Sequence, residues 1–203
     1  MRTPVTCPTV LIVPGLRDHV DDHWQTLLAP RLGRVRTVPP MGRVNLDCTA
    51  RVRAIEQVAG EIDGPIIVVA HSGGVIMAVH WARQTRCEVR GALLATPPDF
   101  ERPMPPGFPT PFLLRSGGWL PVPTDPLPFP SIVAASRNDP LAEYDRVASF
   151  ARGWGSRLVD LGKVGHLNPE SGFGEWPGAL SLIDELGADT AAMGDAHRAA
   201  ARH

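Results

Sequence analysis

The stretch Ile66-Ile67-Val68-Val69-Ala70-His71-Ser72-Gly73-Gly74 constrains the fold more than any other part of the chain. Its apolar start, rich in Ile and Val, describes a strand buried on both faces. Just beyond it, Val75-Ile76-Met77-Ala78-Val79-His80-Trp81-Ala82 reads as a mostly apolar helix packed against a sheet. A strand that becomes a helix over so short a turn forces its central residue into a strained conformation. The side chain is lifted above the sheet, and neighbouring backbone N–H groups point into the same space. Small residues must flank such a turn, because bulk two positions to either side would collide with the neighbouring strand and helix. Ala70 and Gly74 meet that need, one methyl group away from the Gly-x-Ser-x-Gly form. Ser72 therefore reads as a serine presented for chemistry and not as part of an ordinary glycine-serine turn.

The rest of the chain alternates short apolar strands with helical stretches. Candidate strands are Thr9 to Val13, Val35 to Val38, Ile66 to Ala70, Gly91 to Ala95, Ser131 to Ala135 and Arg157 to Leu161. This pattern predicts an α/β fold, with a mainly parallel sheet of about six strands and helices on both faces. In such sheets the chemistry sits at the carboxyl ends of the strands. With 203 residues, 43% of them hydrophobic and 20% charged, the expectation is a single domain over 1–203 whose core runs from about residue 9 to about residue 186. The alanine-rich tail 187–203 extends a helix or frays, and is given no role.

One segment breaks the alternation. Pro97 to Pro130 holds twelve of the 22 prolines, together with Phe108 and Trp119, which read as exposed. So many prolines exclude a regular helix, and the length suits a lid or binding loop. It reads as a flap that shapes a substrate pocket, with no large cap domain.

A net charge of -1 and the lack of a basic run argue against nucleic acid and membrane surfaces as partners. No apolar stretch approaches the roughly 18 residues of a membrane span, and the first residues lack a signal peptide's apolar centre. The expected location is the cytoplasm. Cys7, Cys48 and Cys87 are odd in number and widely spaced, as ordinary thiols in a reducing compartment are. Cys48 and Cys87 also lack the strand-turn-helix setting of a nucleophile.

A serine hydroxyl needs a base, and the base needs an orienting carboxylate. His166 lies just past the last strand, in the loop Gly162-Lys163-Val164-Gly165-His166-Leu167-Asn168. Asp139 lies past the fifth strand, in Ser136-Arg137-Asn138-Asp139-Pro140, with Pro140 read as opening the next helix. Asp99, in Pro97-Pro98-Asp99, is the rival acid. Asp160 falls inside a strand and Asp145 inside a helix, which suits structural duties. His71 is better placed for packing and a backbone hydrogen bond than for proton transfer; His80 reads as a helix-face residue, and His197 and His203 belong to the tail. An oxyanion would need two backbone donors. Gly73 N–H is one candidate, and Leu16 N–H, in the loop Val13-Pro14-Gly15-Leu16-Arg17-Asp18-His19, is the other. Gly15 allows that turn, and by position Gly15, Arg17 and Trp119 are candidate substrate contacts.

Asp18-His19-Val20-Asp21-Asp22-His23 admits a zinc reading through His19 and His23. Asp22 followed by His23-Trp24-Gln25 also reads as a helix N-cap with a capping-box glutamine. The cap reading is preferred; half the cluster then lies before the helix, where the spacing no longer puts both histidines on one face, so no metal is expected.

These motifs resemble a known family. Pro14-Gly15-Leu16 with His23-Trp24-Gln25, Ala70-His71-Ser72, Ala135-Ser136-Arg137-Asn138-Asp139-Pro140 and Gly165-His166-Leu167-Asn168-Pro169-Glu170-Ser171-Gly172-Phe173-Gly174 are similar to those of small bacterial serine hydrolases of the YdeN and retinoblastoma-binding-protein type, from about Thr9 to Ile183. The order serine, acid, histidine is that of α/β-hydrolases. The resemblance implies an α/β-hydrolase domain, a triad of Ser72, Asp139 and His166, and cofactor-free hydrolysis of small esters or related acyl compounds. Arg17, Asp18 and His19 stand where relatives tend to have small residues. The expected function is a carboxylesterase-like serine hydrolase acting on a small-molecule acyl substrate through an acyl-enzyme, with thioesters and amides as further possible bonds. Two alternatives are acyl transfer by the same triad and a protein-interaction module on a hydrolase scaffold, whose protein partner the sequence does not identify.

Overall fold

The computed structural model describes residues 7–17, 20–42 and 44–188. Its strands are β1 (Thr9–Val13), β2 (Val35–Thr37), β3 (Ile66–His71), β4 (Val89–Ala95), β5 (Ser131–Ala135) and β6 (Arg157–Asp160). They form one parallel sheet in the order β2-β1-β3-β4-β5-β6. Every expected strand is present, with ends displaced by at most two residues.

Helices follow the strands as α1 (Trp24–Leu28), α2 (Cys48–Gly60), α3 (Gly73–Ala82), α4 (Pro111–Ser116), α5 (Tyr144–Trp154) and α6 (178–188). Alternation along each strand sends side chains to opposite faces. Leu11, Val13, Val68, Ala70 and Leu94 meet the apolar sides of α2, α3 and α5 on one face. Val10, Ile12, Ile67, Val69 and Leu93 meet Trp24 and Leu28 of α1 and Ala179, Ile183 and Leu186 of α6 on the other. This is the α/β-hydrolase fold, and no large cap is present among the described residues.

The chain leaves β1 for β2 on one side and returns to β3 on the other. The loops that follow β1 and β3 therefore diverge, which opens a crevice at the carboxyl ends of these two neighbouring strands. Ser72 stands at this switch point, with φ 55° and ψ -131° in a region that side chains rarely occupy. The small residue two places on is required by contact with β1: a Cβ on Gly74 would lie 2.5 Å from both the Val13 and the Pro14 carbonyl oxygens. Because the obstacle is main chain at the sheet centre, Gly74→Ala should lose on the order of 3 kcal/mol of stability. A urea titration would show this as a lower midpoint at unchanged slope; an unchanged midpoint would mean that the elbow yields freely.

The proline-rich segment departs from its sequence reading in two ways. It contains a helix, α4, which begins with Pro111 at the first helical position, where a missing N–H costs nothing; the Thr110 side chain accepts from Leu113 N–H at 3.3 Å. Trp119 is fully buried, packed edge-on against Phe100 at 5.4 Å, with its Nε1–H donating to Leu46 O at 2.7 Å. Burying so large a ring with its single donor satisfied outweighs the local loop character.

Two helix starts also differ. The α1 cap is His23, whose Nδ1 accepts from Gln25 N–H at 3.2 Å, and not Asp22. Gln25 is no capping-box partner. Its buried amide donates to Val13 O at 3.3 Å and Val69 O at 3.0 Å, which bolts α1 to β1 and β3. Pro140 lies in a turn, and α5 begins at Tyr144 behind the cap residue Glu143.

Candidate active site

Ser72, Asp139 and His166 come from loops after β3, β5 and β6, and the structure brings all three together. His166 Nε2 lies 2.8 Å from Ser72 Oγ, and His166 Nδ1 lies 2.9 and 2.8 Å from the two carboxylate oxygens of Asp139. A carboxylate accepts only, so Nδ1 carries the proton and Nε2 is left to accept from the serine hydroxyl. The side chains of Asp139 and His166 are 1% and 5% exposed, so water competes little for these bonds. Asp139 Oδ1 also accepts from Leu141 N–H at 2.8 Å, which holds the carboxylate in its own turn.

The loops carrying the acid and the histidine are stitched together. Asn138 Oδ1 accepts from Gly165 N–H at 2.8 Å, Ser136 Oγ from Val164 N–H at 3.3 Å, and Gly162 O from Arg137 N–H at 2.7 Å. Ser171 Oγ accepts from His166 N–H at 3.0 Å and donates to Asn168 Oδ1 at 2.7 Å. These supporting side chains were not singled out in the sequence, since Ser and Asn in a loop read as turn formers.

Gly15, Leu16 and Gly73 gather around the serine. A Cβ on Gly15 would lie 3.2 Å from Ser72 Cβ and 3.6 Å from its Oγ, and one on Gly73 would strike Leu16 Cγ at 2.7 Å. Gly73 opens α3, where an amide has no acceptor within the helix.

A cavity of about 340 Å³ opens beside Ser72 and His166. Leu16, Val20, Phe100, Met104, Phe108 and Leu141 give it apolar walls, and Gly15 and Arg17 also line it. Arg17 makes a two-pronged ion pair with Glu170, Nη2 to Oε2 at 2.7 Å, and its guanidinium sits 5.8 Å from the Phe108 ring centre. Trp119 does not line this cavity; it belongs to the core beneath.

The remaining candidates separate from the site. Asp99 is buried but faces Arg146 and Arg102 at 3.5 and 3.7 Å. Asp160 pairs with Arg137 at 2.5 Å, and Asp145 lies in the first turn of α5. Cys48 is buried at the start of α2, and burial pushes its thiol up to about 11, far from the reactive thiolate range. His80 reaches Trp119 O at 3.2 Å. Asp18, His19, His197 and His203 lie outside the described residues. Among the described residues no group of three or more His, Cys, Asp or Glu could hold a metal, and no helix is long and apolar enough to cross a membrane.

His71 is enclosed, and its Nε2–H donates to His166 O at 2.8 Å. Burial holds its imidazole well below the ordinary value of 6.5; the neighbouring His166 and His23 act in the same direction, against the hydrogen bond. Below about pH 6.5 the unfolded chain therefore binds a proton that the native protein refuses. This group's stability contribution is complete above that pH and is lost as pH falls, at up to ~1.4 kcal/mol per pH unit. Urea midpoints should drop between pH 7 and pH 5, less steeply in His71→Gln; equal slopes would remove His71 as the source.

The fold and the serine at its switch point define an α/β-hydrolase-type enzyme. The sequence profile of the family described as Serine hydrolase matches residues 10–185, and the chain belongs to that family. A YdeN-like hydrolase from Pectobacterium atrosepticum is 31% identical, over 88% of this chain and 90% of its own, with a TM-score of 0.75. The ydeN gene product of B. subtilis is 16% identical, over 88% of this chain and 98% of its own, with a TM-score of 0.67. Est1E from Butyrivibrio proteoclasticus, solved with ferulic acid bound, shares the fold at 16% identity and a TM-score of 0.63, over 95% of this chain and 91% of its own. No curated protein matches the chain.

Proposed function

We propose that the protein hydrolyses small carboxylic esters with an apolar acyl group through an acyl-enzyme on Ser72. The observation that carries this reading is the chain from Ser72 Oγ through His166 to Asp139, at hydrogen-bond distances throughout, on the wall of an apolar cavity. Ser72 attacks the ester carbonyl while His166 Nε2 takes its proton; His166 then returns that proton to the departing alkoxide. Water repeats the sequence on the acyl-enzyme and releases the acid. Asp139 keeps the proton on His166 Nδ1 and stabilises the imidazolium.

The Leu16 and Gly73 amides serve the oxyanion. They follow the two strands at the switch point, and losing one such donor costs on the order of 3 kcal/mol in the transition state. Phe100, Met104, Phe108 and Leu141 would receive the acyl chain, and the Arg17 to Glu170 pair borders its path.

A series of 4-nitrophenyl esters from acetyl to dodecanoyl tests the reading. Turnover should rise with chain length to a maximum and then fall as the cavity fills. An alcohol added as acceptor should leave the free acid as the main product. No turnover of any ester by folded protein would overturn ester hydrolysis, and a dominant transfer product would replace water with an acceptor as the second substrate. Thioester and amide analogues at the optimal chain length then rank the bond types.

A further inference from the structure

No regular element holds His166. It lies in a turn between β6 and the 3-10 turn Pro169–Ser171, flanked by left-handed backbone at Gly165 (φ 61°) and Leu167 (φ 46°). Such a peptide unit keeps its place only when both of its polar ends are held. Its N–H donates to Ser171 Oγ at 3.0 Å, and its carbonyl accepts from His71 Nε2 at 2.8 Å. The two partners differ in origin. Ser171 belongs to the same loop and travels with His166, whereas His71 ends β3 within the sheet and is joined by one peptide bond to Ser72.

We propose that His71 is a positioning residue: it holds the main chain of His166 against the strand that carries Ser72, and so sets the spacing between Ser72 Oγ and His166 Nε2. The proposal rests on the reading of Ser72 and His166 as nucleophile and base. Because the tether is the last residue of β3 and the nucleophile is the next residue in the chain, movement of the strand end carries both, and the 2.8 Å contact is kept.

The surroundings of the ring fit this role. His71 is 4% exposed, with the His23 ring 4.7 Å and the His166 ring 5.0 Å away and the Trp24 ring edge-on at 6.0 Å. A carbonyl accepts only, so Nε2 must carry the proton. The titratable groups facing His71 are His166, from the loop after β6, and His23, at the cap of α1. When His166 becomes a cation during acyl transfer, it faces a ring that burial keeps neutral.

The test compares His71→Phe, which keeps a ring but has no donor, with His71→Gln, whose amide N–H can reach the same carbonyl. Ester kinetics should show kcat at least tenfold lower in His71→Phe with KM within about threefold of wild type, and kcat within about fivefold of wild type in His71→Gln. The far-downfield proton resonance of the His166 to Asp139 hydrogen bond should persist in wild type and His71→Gln and be lost in His71→Phe. His71→Leu replaces the phenylalanine variant if that chain does not fold. Wild-type kcat in the donor-free variant, or equal losses in both variants with the resonance intact, overturns the proposal. The resonance is recorded without substrate, so a wild-type protein inactive on esters counts against the hydrolytic reading alone.

Discussion

Treatment with a fluorophosphonate should add one adduct to the protein, and Ser72→Ala should abolish it. The hydroxyl of Ser72 lies 2.8 Å from His166 Nε2, and a serine without such a base is a poor nucleophile. His166→Ala should slow labelling by at least ~10³-fold, and either variant should lower ester turnover by at least ~10⁴-fold. Stability should hardly change in Ser72→Ala, because alanine meets the same positive φ as serine and Ser72 caps no backbone group through its side chain. Intact-protein mass spectrometry reads the adduct. An adduct that survives in Ser72→Ala would place the reactive group elsewhere.

The second large effect separates two acids. Asp139→Asn should reduce kcat by ~10³- to 10⁴-fold with little change in melting temperature, since the amide keeps an oxygen for Leu141 N–H but favours the wrong histidine tautomer. Asp99→Asn should do the reverse. Its carboxylate answers Arg102 and Arg146, so neutralising it should cost ~1–3 kcal/mol of stability and leave kcat within about threefold. Loss of turnover in Asp99→Asn with activity kept in Asp139→Asn would exchange their roles.

What could be read from the sequence follows from how local each signal is. The inner strands were legible because burial on both faces leaves uninterrupted apolar runs, as in Ile66 to Ala70. Ser72 stood out because it directly follows such a run, and Asp139 and His166 because each lies in the loop that follows a later strand. Trp119 was misread because prolines hide the periodicity that would mark a buried residue, and its partners Leu46 and Phe100 lie 73 and 19 residues away. Gln25 was misread for a related reason: the local pattern fits a capping box, while its amide serves Val69, 44 residues distant. His71 was legible as a donor to backbone, but no spacing rule says that the acceptor belongs to His166.

Much of the cavity wall has an origin separate from the reacting atoms of this site. The hydrogen-bonded chain is built on strand ends, whereas Pro98, Phe100, Met104, Phe108 and Pro109 reach the cavity from the proline-rich segment. That segment is pinned on its far side by Leu114 and Trp119, so the stretch between can vary in length and bulk while its anchors stay. On the proposed reading as an ester hydrolase, acyl-chain preference becomes an exchangeable trait of this scaffold: grafting a different loop over residues 103–109 should alter which acids are released without rebuilding the chemistry that releases them.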